Sequence, residues 1–323
     1  MEKRIILGIL LFAFAGLYQT TTGNGQSTGM HFLLLGPSAH NMGASDGHTA
    51  ALTGSSAIYL NPALLSMEKS SSVTLSYMLW PATDTQNSFA GLTYRSGNQA
   101  FGVALMSSLI DDIPFRRSAT TSPDGYFAVR YFSLAGAYSR SFGPLSFGLT
   151  GMYLYEQFFQ QDASGYGVNA GLALNLFEER IRLGTALRNL GSMNELAETS
   201  TRLPGMLSMG TNIRLLQFST SAIDDEIPLL LSINTDYNIP LNEINDMEEG
   251  SLISRSDGYF NAGIELNISD IIDLRTGYRT GDTQRRFSFG AGLAVSDFYF
   301  NYAFMPFIDG FGVAHAVSLQ YNF

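Results

Sequence analysis

From residue 71 onward the chain keeps returning to one pattern, a large apolar side chain followed by a small or polar one. His315, Val317, Leu319, Tyr321 and Phe323 alternate with Ala316, Ser318, Gln320 and Asn322. Leu145, Phe147, Leu149, Gly151, Tyr153 and Tyr155 alternate with Ser146, Gly148, Thr150 and Met152. Successive residues of a strand face opposite ways, so this spacing sorts the large apolar groups onto one face and the small or polar ones onto the other. About fourteen such segments can be marked: 71–79, 87–95, 99–107, 131–141, 145–155, 165–176, 180–189, 206–215, 229–237, 259–266, 271–280, 286–295, 297–304 and 314–323.

Alternation alone fits a soluble sandwich with its apolar face inside or a membrane barrel with that face outside. Three features favour the barrel. Short connections (Ser96 to Asn98, Phe142 to Pro144, Phe177 to Glu179, Asn267 to Asp270, Ser296) alternate with longer ones (80–86, 108–130, 156–164, 190–205, 238–258, 281–285, 305–313), the outer-membrane habit. One connection, 216–228, is too long for its place in that series. Aromatics gather near strand ends, at Trp80, Tyr94, Phe142, Tyr155, Phe158, Phe177, Phe298 and Phe304, where rings suit the headgroup level. The last segment closes on Tyr321 and Phe323, which reads as the C-terminal signal that barrel assembly machinery recognises. An open sheet edge cannot be satisfied in lipid, so the strands must close on themselves. The expected fold is an all-β, antiparallel transmembrane β-barrel of about fourteen strands, spanning residues 71–323, with outer-membrane lipid as its solvent.

Composition agrees. Charged residues make up 14% of the chain, against about 25% in a typical soluble domain. The net charge of −10 argues against nucleic acid as a partner, and the absence of cysteine excludes disulfides and thiolate metal sites. Lys3 and Arg4 precede an apolar run from Ile5 to Tyr18, too short for the roughly 20 residues of a spanning helix. Residues 1–25 read as a cleaved secretory signal, which places the mature chain in the outer membrane of a Gram-negative bacterium.

Residues 26–70 lack the strand pattern. Small residues and the Asn61-Pro62 pair suggest short helices and turns, and the many glycines at luminal positions leave room for this segment inside the barrel as a hatch. Phe32 to Gly43, followed by Ala57-Ile58-Tyr59-Leu60-Asn61-Pro62-Ala63-Leu64-Leu65, resembles the N-terminal signature of the PorV/PorQ family of FadL-like outer-membrane barrels. Leu183 to Gly191, Leu274 to Arg279 and Ser318 to Phe323 are similar as well. Where family members often carry an arginine before the Met-Gly pair, this chain has His40 two residues before Met42, and Ala44-Ser45 follows Gly43. The resemblance implies a hatch motif at Gly43, Asn61, Pro62 and Ala63. It also implies one of two roles: a non-enzymatic component of type IX-like secretion with secretion-system partners, or passive import of hydrophobic ligands such as long-chain fatty acids. A surface adhesin using loops 108–130 and 238–258 is a third reading.

Little chemistry is written in the chain. His31, His40, His48 and His315 form no metal-ligand spacing, and neither a metal nor another cofactor is expected. His315 and Ser318 fall on opposite strand faces and there is no nucleophile elbow, so no catalytic residue is assigned. Acidic runs at Asp111-Asp112, Asp224 to Glu226 and Asp246 to Glu249 read as solvated loops, with calcium as the sharper alternative. The groups expected on the luminal face are Arg182, Arg188, Arg275, Arg279, Arg286 and Asp236, with Arg214, Asn212 and Asn234 beside them. Such groups either hold the hatch or meet the anionic end of a ligand.

Overall fold

A computed structural model describes residues 29–81, 84–118, 121–196, 201–222, 225–241, 258–282, 284–310 and 312–323. The signal expected at 1–25, most of the 238–258 loop with its acidic run, and Asp224 lie outside the described residues.

Fourteen antiparallel strands form one closed barrel in which each strand pairs with its sequence neighbours and β14 pairs with β1. They are β1 (Ser72–Trp80), β2 (Thr85–Ser96), β3 (Gln99–Phe115), β4 (Gly125–Phe142), β5 (Leu145–Phe158), β6 (Gln161–Leu176) and β7 (Ile181–Met193). The second half comprises β8 (Met206–Ala222), β9 (Asp225–Pro240), β10 (Tyr259–Ile268), β11 (Ile272–Arg279), β12 (Phe287–Val295), β13 (Phe298–Pro306) and β14 (Val313–Asn322). Closure runs from Ser72 opposite Asn322 to Leu79 opposite His315. Ser71 and Phe323 extend it by exchanging backbone hydrogen bonds of 3.1 and 2.9 Å.

The two faces sort as alternation requires. Leu75, Leu92, Val103, Leu149, Val168, Leu274, Phe300 and Val317 stand exposed on the outside. Their strand neighbours Thr74, Thr93, Ala104, Thr150, Asn169, Arg275 and Ser318 are buried within. This inside-out distribution is that of a protein dissolved in lipid. At the closing seam Tyr321 lies 4.8 Å from Phe298 and stacks on Phe323, all three exposed on the outer face.

Three expectations about the connections change. The 108–130 connection shrinks to residues 116–124, because β3 and β4 continue upward past a bulge between Ile110 and Ile113. The 156–164 connection is a two-residue turn at Phe159-Gln160. The irregular 216–228 segment is mostly strand: past a register shift between Arg214 and Leu216, β8 continues to Ala222 and β9 starts at Asp225. A bulge resets the period-two phase, and strand beyond the lipid has no need of an apolar exterior, so in all three places the pattern ends before the strand does. Trp80 also differs from its expected place on the aromatic rim. It is 8% exposed, points inward, and packs against Phe307 at 5.3 Å.

Residues 29–70 thread the barrel. Gly29 bonds to the backbone of Arg202 in the β7–β8 connection, at the long-loop end. The chain then descends through short helical turns at His31–Leu34, Ala39–Gly43, Gly54–Ser56, Ala57–Leu60 and Pro62–Met67. It emerges beside the β4–β5 turn at the opposite, short-turn end, where Ser66 meets Ser141 and Ser146.

The exterior yields a direct test. Replacing Leu149, 55% exposed within the apolar band, by Arg is expected to destabilise the barrel in lipid by about 2–4 kcal/mol, the cost of a cation near the bilayer midplane. Equilibrium denaturation in liposomes measures it, and the luminal neighbour change Thr150→Ser serves as the mild control.

Candidate functional site

The hatch and the wall meet in the lumen, and glycine makes their approach close. A Cβ placed on Gly148 would strike Pro62, one on Gly171 would strike Asn61, and one on Gly184 would strike Thr49. On the far wall, Gly263 and Gly277 face Ala44, and Gly290 faces Gly43. The hatch backbone therefore touches the barrel wall nearly all the way round.

Two chemistries hold it. On the β4–β6 side the bonds are neutral. Ser66 Oγ lies 2.6 Å from Ser146 Oγ, the Ser146 and Ser139 hydroxyls donate to the Ala63 carbonyl, and Thr150 donates to the Ile58 carbonyl at 2.8 Å. Asn61, fully buried, is the centre of this half. Its Nδ2 donates to the carbonyls of Thr49 (2.7 Å) and Leu172 (3.2 Å), and its Oδ1 accepts from the Ala63 amide at 3.1 Å. With Asn61 capping the turn and Pro62 at its first position, the Asn61-Pro62-Ala63 motif stops one helical turn, starts the next, and ties both to β6.

On the β7–β12 side the bonds involve charge. Asp236 Oδ2 accepts from the Thr49 amide (2.9 Å) and hydroxyl (2.7 Å). Arg279 reaches Asp46 at 3.4 Å, donates to Asn261 and lies 4.9 Å over the Tyr259 ring. Arg182 donates to Asn175 at 2.7 Å and to the Ala50 carbonyl at 3.4 Å.

Among the described residues, Arg188 and Arg275 are buried in the wall and hydrogen-bond to wall residues, not to the hatch. Arg275 bonds Glu265, Asp273 and Asn301 at 3.0, 3.2 and 2.9 Å. Arg188 donates to Ser208 at 3.1 Å, and among the described residues no carboxylate lies within 4.0 Å of it. Arg286 is a correction: it stands exposed just before β12, and its neighbour Arg285 turns inward instead, bonding Asp282 at 2.6 Å and lying 5.1 Å from the Trp80 ring. Arg214 shares the inward parity of Ser208 and Asn212, lies opposite the buried Ser232 and pairs with Glu179 at 3.7 Å, at the short-turn end of the lumen. His315 faces outward, bonded to Tyr302 at 2.8 Å, whereas Ser318 faces inward. Among the described residues no three metal-ligating side chains converge.

The opposite wall is apolar. Met30, Leu33, Leu64, Phe89, Met106, Met152, Leu154 and Met193 form one buried cluster between the hatch and strands β2–β7. Toward the loop end it continues in rings: Phe32 stacks on Tyr131 at 5.8 Å, and above them Phe127 contacts Phe158 (5.4 Å) and Phe159 (5.6 Å). Phe115 completes the group, 5.3 Å from Phe159. Phe158 and Phe159 are 47% and 43% exposed, so the aromatic column begins in water and ends at the hatch. The sequence reading treated 108–130 and 156–164 as loops and so missed this column.

No family model matches the chain, and no curated relative is found. Solved structures do match. The toluene transporter TbuX of Ralstonia pickettii aligns over 90% of this chain and 98% of its own, with a TM-score of 0.54 at 13% identity. The P. putida toluene transporter TodX aligns over 87% and 98%, with a TM-score of 0.56 at 12% identity. The shared property is the fold. This chain shares its barrel fold with those two transporters.

Two outcomes follow from the hatch contacts. Asn61→Ala strands buried carbonyls and an amide, at about 1–3 kcal/mol per unsatisfied group, so amide exchange across residues 49–63 is expected to quicken while the barrel stays heat-resistant on gels. Asn61→Asp, which aims a carboxylate at the same two carbonyls, is expected to quicken it further. The second outcome concerns pH. His40 and His48 lie 5.1 Å apart, and burial holds both imidazoles well below their usual range, with Arg275 of β11 pushing the same way and Glu265 of β10 opposing it at His48. A docked hatch thus binds fewer protons than a released one, so docking weakens as pH falls through the ordinary imidazole value of 6.5. Glu68, pushed up by its own burial, acts with the opposite sign. Protection factors over residues 36–50, taken relative to intrinsic exchange at each pH, are expected to fall between about pH 7 and pH 5, and His48→Asn to flatten that fall.

Proposed function

We propose that this protein is an outer-membrane channel that imports small hydrophobic molecules, entering the lumen along the aromatic column and held back from the periplasm by the hatch. The observation that carries the reading is the column itself. Exposed aromatic patches of this kind mark binding surfaces, and this one stands between the long-loop mouth and the Phe32–Tyr131 pair beside the buried apolar cluster and the hatch. In this orientation the short turns face the periplasm, as in other outer-membrane barrels. Cleavage of the 1–25 signal belongs to the same proposal.

Both fold relatives are toluene transporters, which supports the reading. The charged wall opposite the column adds capacity for a polar end group: Arg188, Ser208 and Asn238 form a chain of hydrogen bonds of 3.1 and 2.6 Å with no carboxylate to close it. The secretion role implied by the PorV/PorQ resemblance rests on the sequence alone. It requires large partners to co-purify with the protein, which the import reading does not.

Toluene uptake tests the proposal. Cells whose outer membrane carries the protein are expected to take up toluene several-fold faster than cells without it. The double change Phe158→Ser, Phe159→Ser is expected to remove most of that gain while leaving heat-modifiable migration unchanged. Equal uptake with and without the protein would refute import.

A further inference from the structure

One buried acid stands apart from every other in the lumen. Asp236 is held by Thr49, Glu265 and Asp273 by Arg275, Asp46 by Arg279, and Asp282 by Arg285. Glu156 has no such partner. Its side chain is 7% exposed, its Oε1 is buried without a hydrogen bond, and among the described residues no cation or donor reaches it. Position on β5 says where it points. Residues 154, 156 and 158 share the inward face, so Glu156 sits between the fully buried Leu154 and the mouth aromatic Phe158. Directly across the strands lie Tyr131 on β4 and Ala163 on β6, and Tyr131 carries the stacked ring of Phe32. A lone carboxylate flanked by rings at the foot of an apolar column is costly to bury unless something completes it.

We infer that Glu156 is a specificity-determining residue, and that the imported molecules it favours are aromatic or alkyl compounds bearing an ammonium or other hydrogen-bond donor, not carboxylates. This rests on the import reading and narrows it. The apolar body of the ligand lies along Phe127, Phe158 and Tyr131, while its donor end meets the Glu156 carboxylate in a charge-assisted hydrogen bond, with the ring faces of Tyr131 and Phe32 beside the cation. An anionic ligand of the same shape meets an unscreened like charge there and is turned away.

The test compares three matched probes, 3-phenylpropylammonium, 3-phenylpropanol and 3-phenylpropanoate, by equilibrium binding to the whole protein in lipid nanodiscs. The wild type is expected to prefer the ammonium over the carboxylate by about tenfold or more, the factor one charge-assisted hydrogen bond supplies. Glu156→Gln, of nearly equal shape, should erase that preference and leave the alcohol unchanged, and Glu156→Asp should restore part of it. Migration on unheated gels shows that each variant keeps its barrel. If the alcohol binds but the ammonium and carboxylate bind alike, or if Glu156→Gln keeps the preference, the inference fails and import stands. If not even the alcohol binds, import fails and the inference with it.

Discussion

Everything in this molecule follows from the need to satisfy backbone polar groups where no water is present. A strand in hydrocarbon must hydrogen-bond on both edges, so fourteen strands close into a ring through the β1–β14 pairing. Closure forces the apolar groups outward and leaves a lumen. That lumen then has to be filled by something whose own backbone is satisfied. The N-terminal segment does so in short helical turns whose free amides and carbonyls find side chains on the wall: Ala63 at Ser139 and Ser146, Ile58 at Thr150, and Thr49 at Asn61 and Asp236.

The two sides of the hatch are secured differently, and the difference bears on how it can move. Neutral hydroxyl and amide bonds fix residues 58–66 to β4–β6, and they are insensitive to pH and salt over ordinary ranges. Residues 45–50 are tied to β7–β12 through Asp236, Arg182 and the Asp46–Arg279 pair, with the neutral His40–His48 pair packed alongside. Ionic bonds respond to charge brought into the lumen, so the 45–50 side is the one a ligand or a proton can loosen while the other stays in place. Glycine makes this arrangement close: Gly184 lies against Thr49 and Gly277 against Ala44 and Ser45, with no room for a side chain at either position.

The barrel was legible because lipid imposes its period on every residue that touches it. All fourteen segments marked by alternation are strands, and their edges near the short turns fall within a few residues of the true ones except at β8 and β9, which run on to Ala222 and from Asp225. Legibility ended where lipid ends or where a bulge changes phase. Asp111-Asp112 interrupts β3, the shift after Arg214 interrupts β8, and from Glu156 to Gln161 the outer face is no longer obliged to be apolar. Arg286 was assigned inward by extending the β12 alternation one residue too far, into a connection that folds across the mouth and presents Arg285 instead. Parity alone placed Arg182, Arg188, Arg275, Arg279 and Asp236 in the lumen, but it carried no information on their partners. Asp46 and Arg279 are 233 residues apart in the chain, and only the closed ring brings them together.

The same boundary explains why the most informative residues of the mouth were hidden. The strands β3 to β6 outgrow their neighbours, with 17, 18, 14 and 16 residues against 8 to 10 in β10 to β14. A wall raised on one side only gives the barrel a tall face and a low one. The inner surface of the tall face carries Phe115, Phe127 and Phe158 above Glu156, and it continues the apolar half of the lumen upward, whereas the low side ends in the charged half near Arg279 and Arg285. At the mouth, length and polarity are coupled: the strands that rise furthest there have apolar inner faces, whereas β8 and β9, of 17 and 16 residues, gain their length past the Arg214–Leu216 shift at the opposite end. Apolar surface therefore stands highest on the tall side, above the edge of the hatch that neutral bonds hold, and the charged edge of the hatch lies beneath the low side.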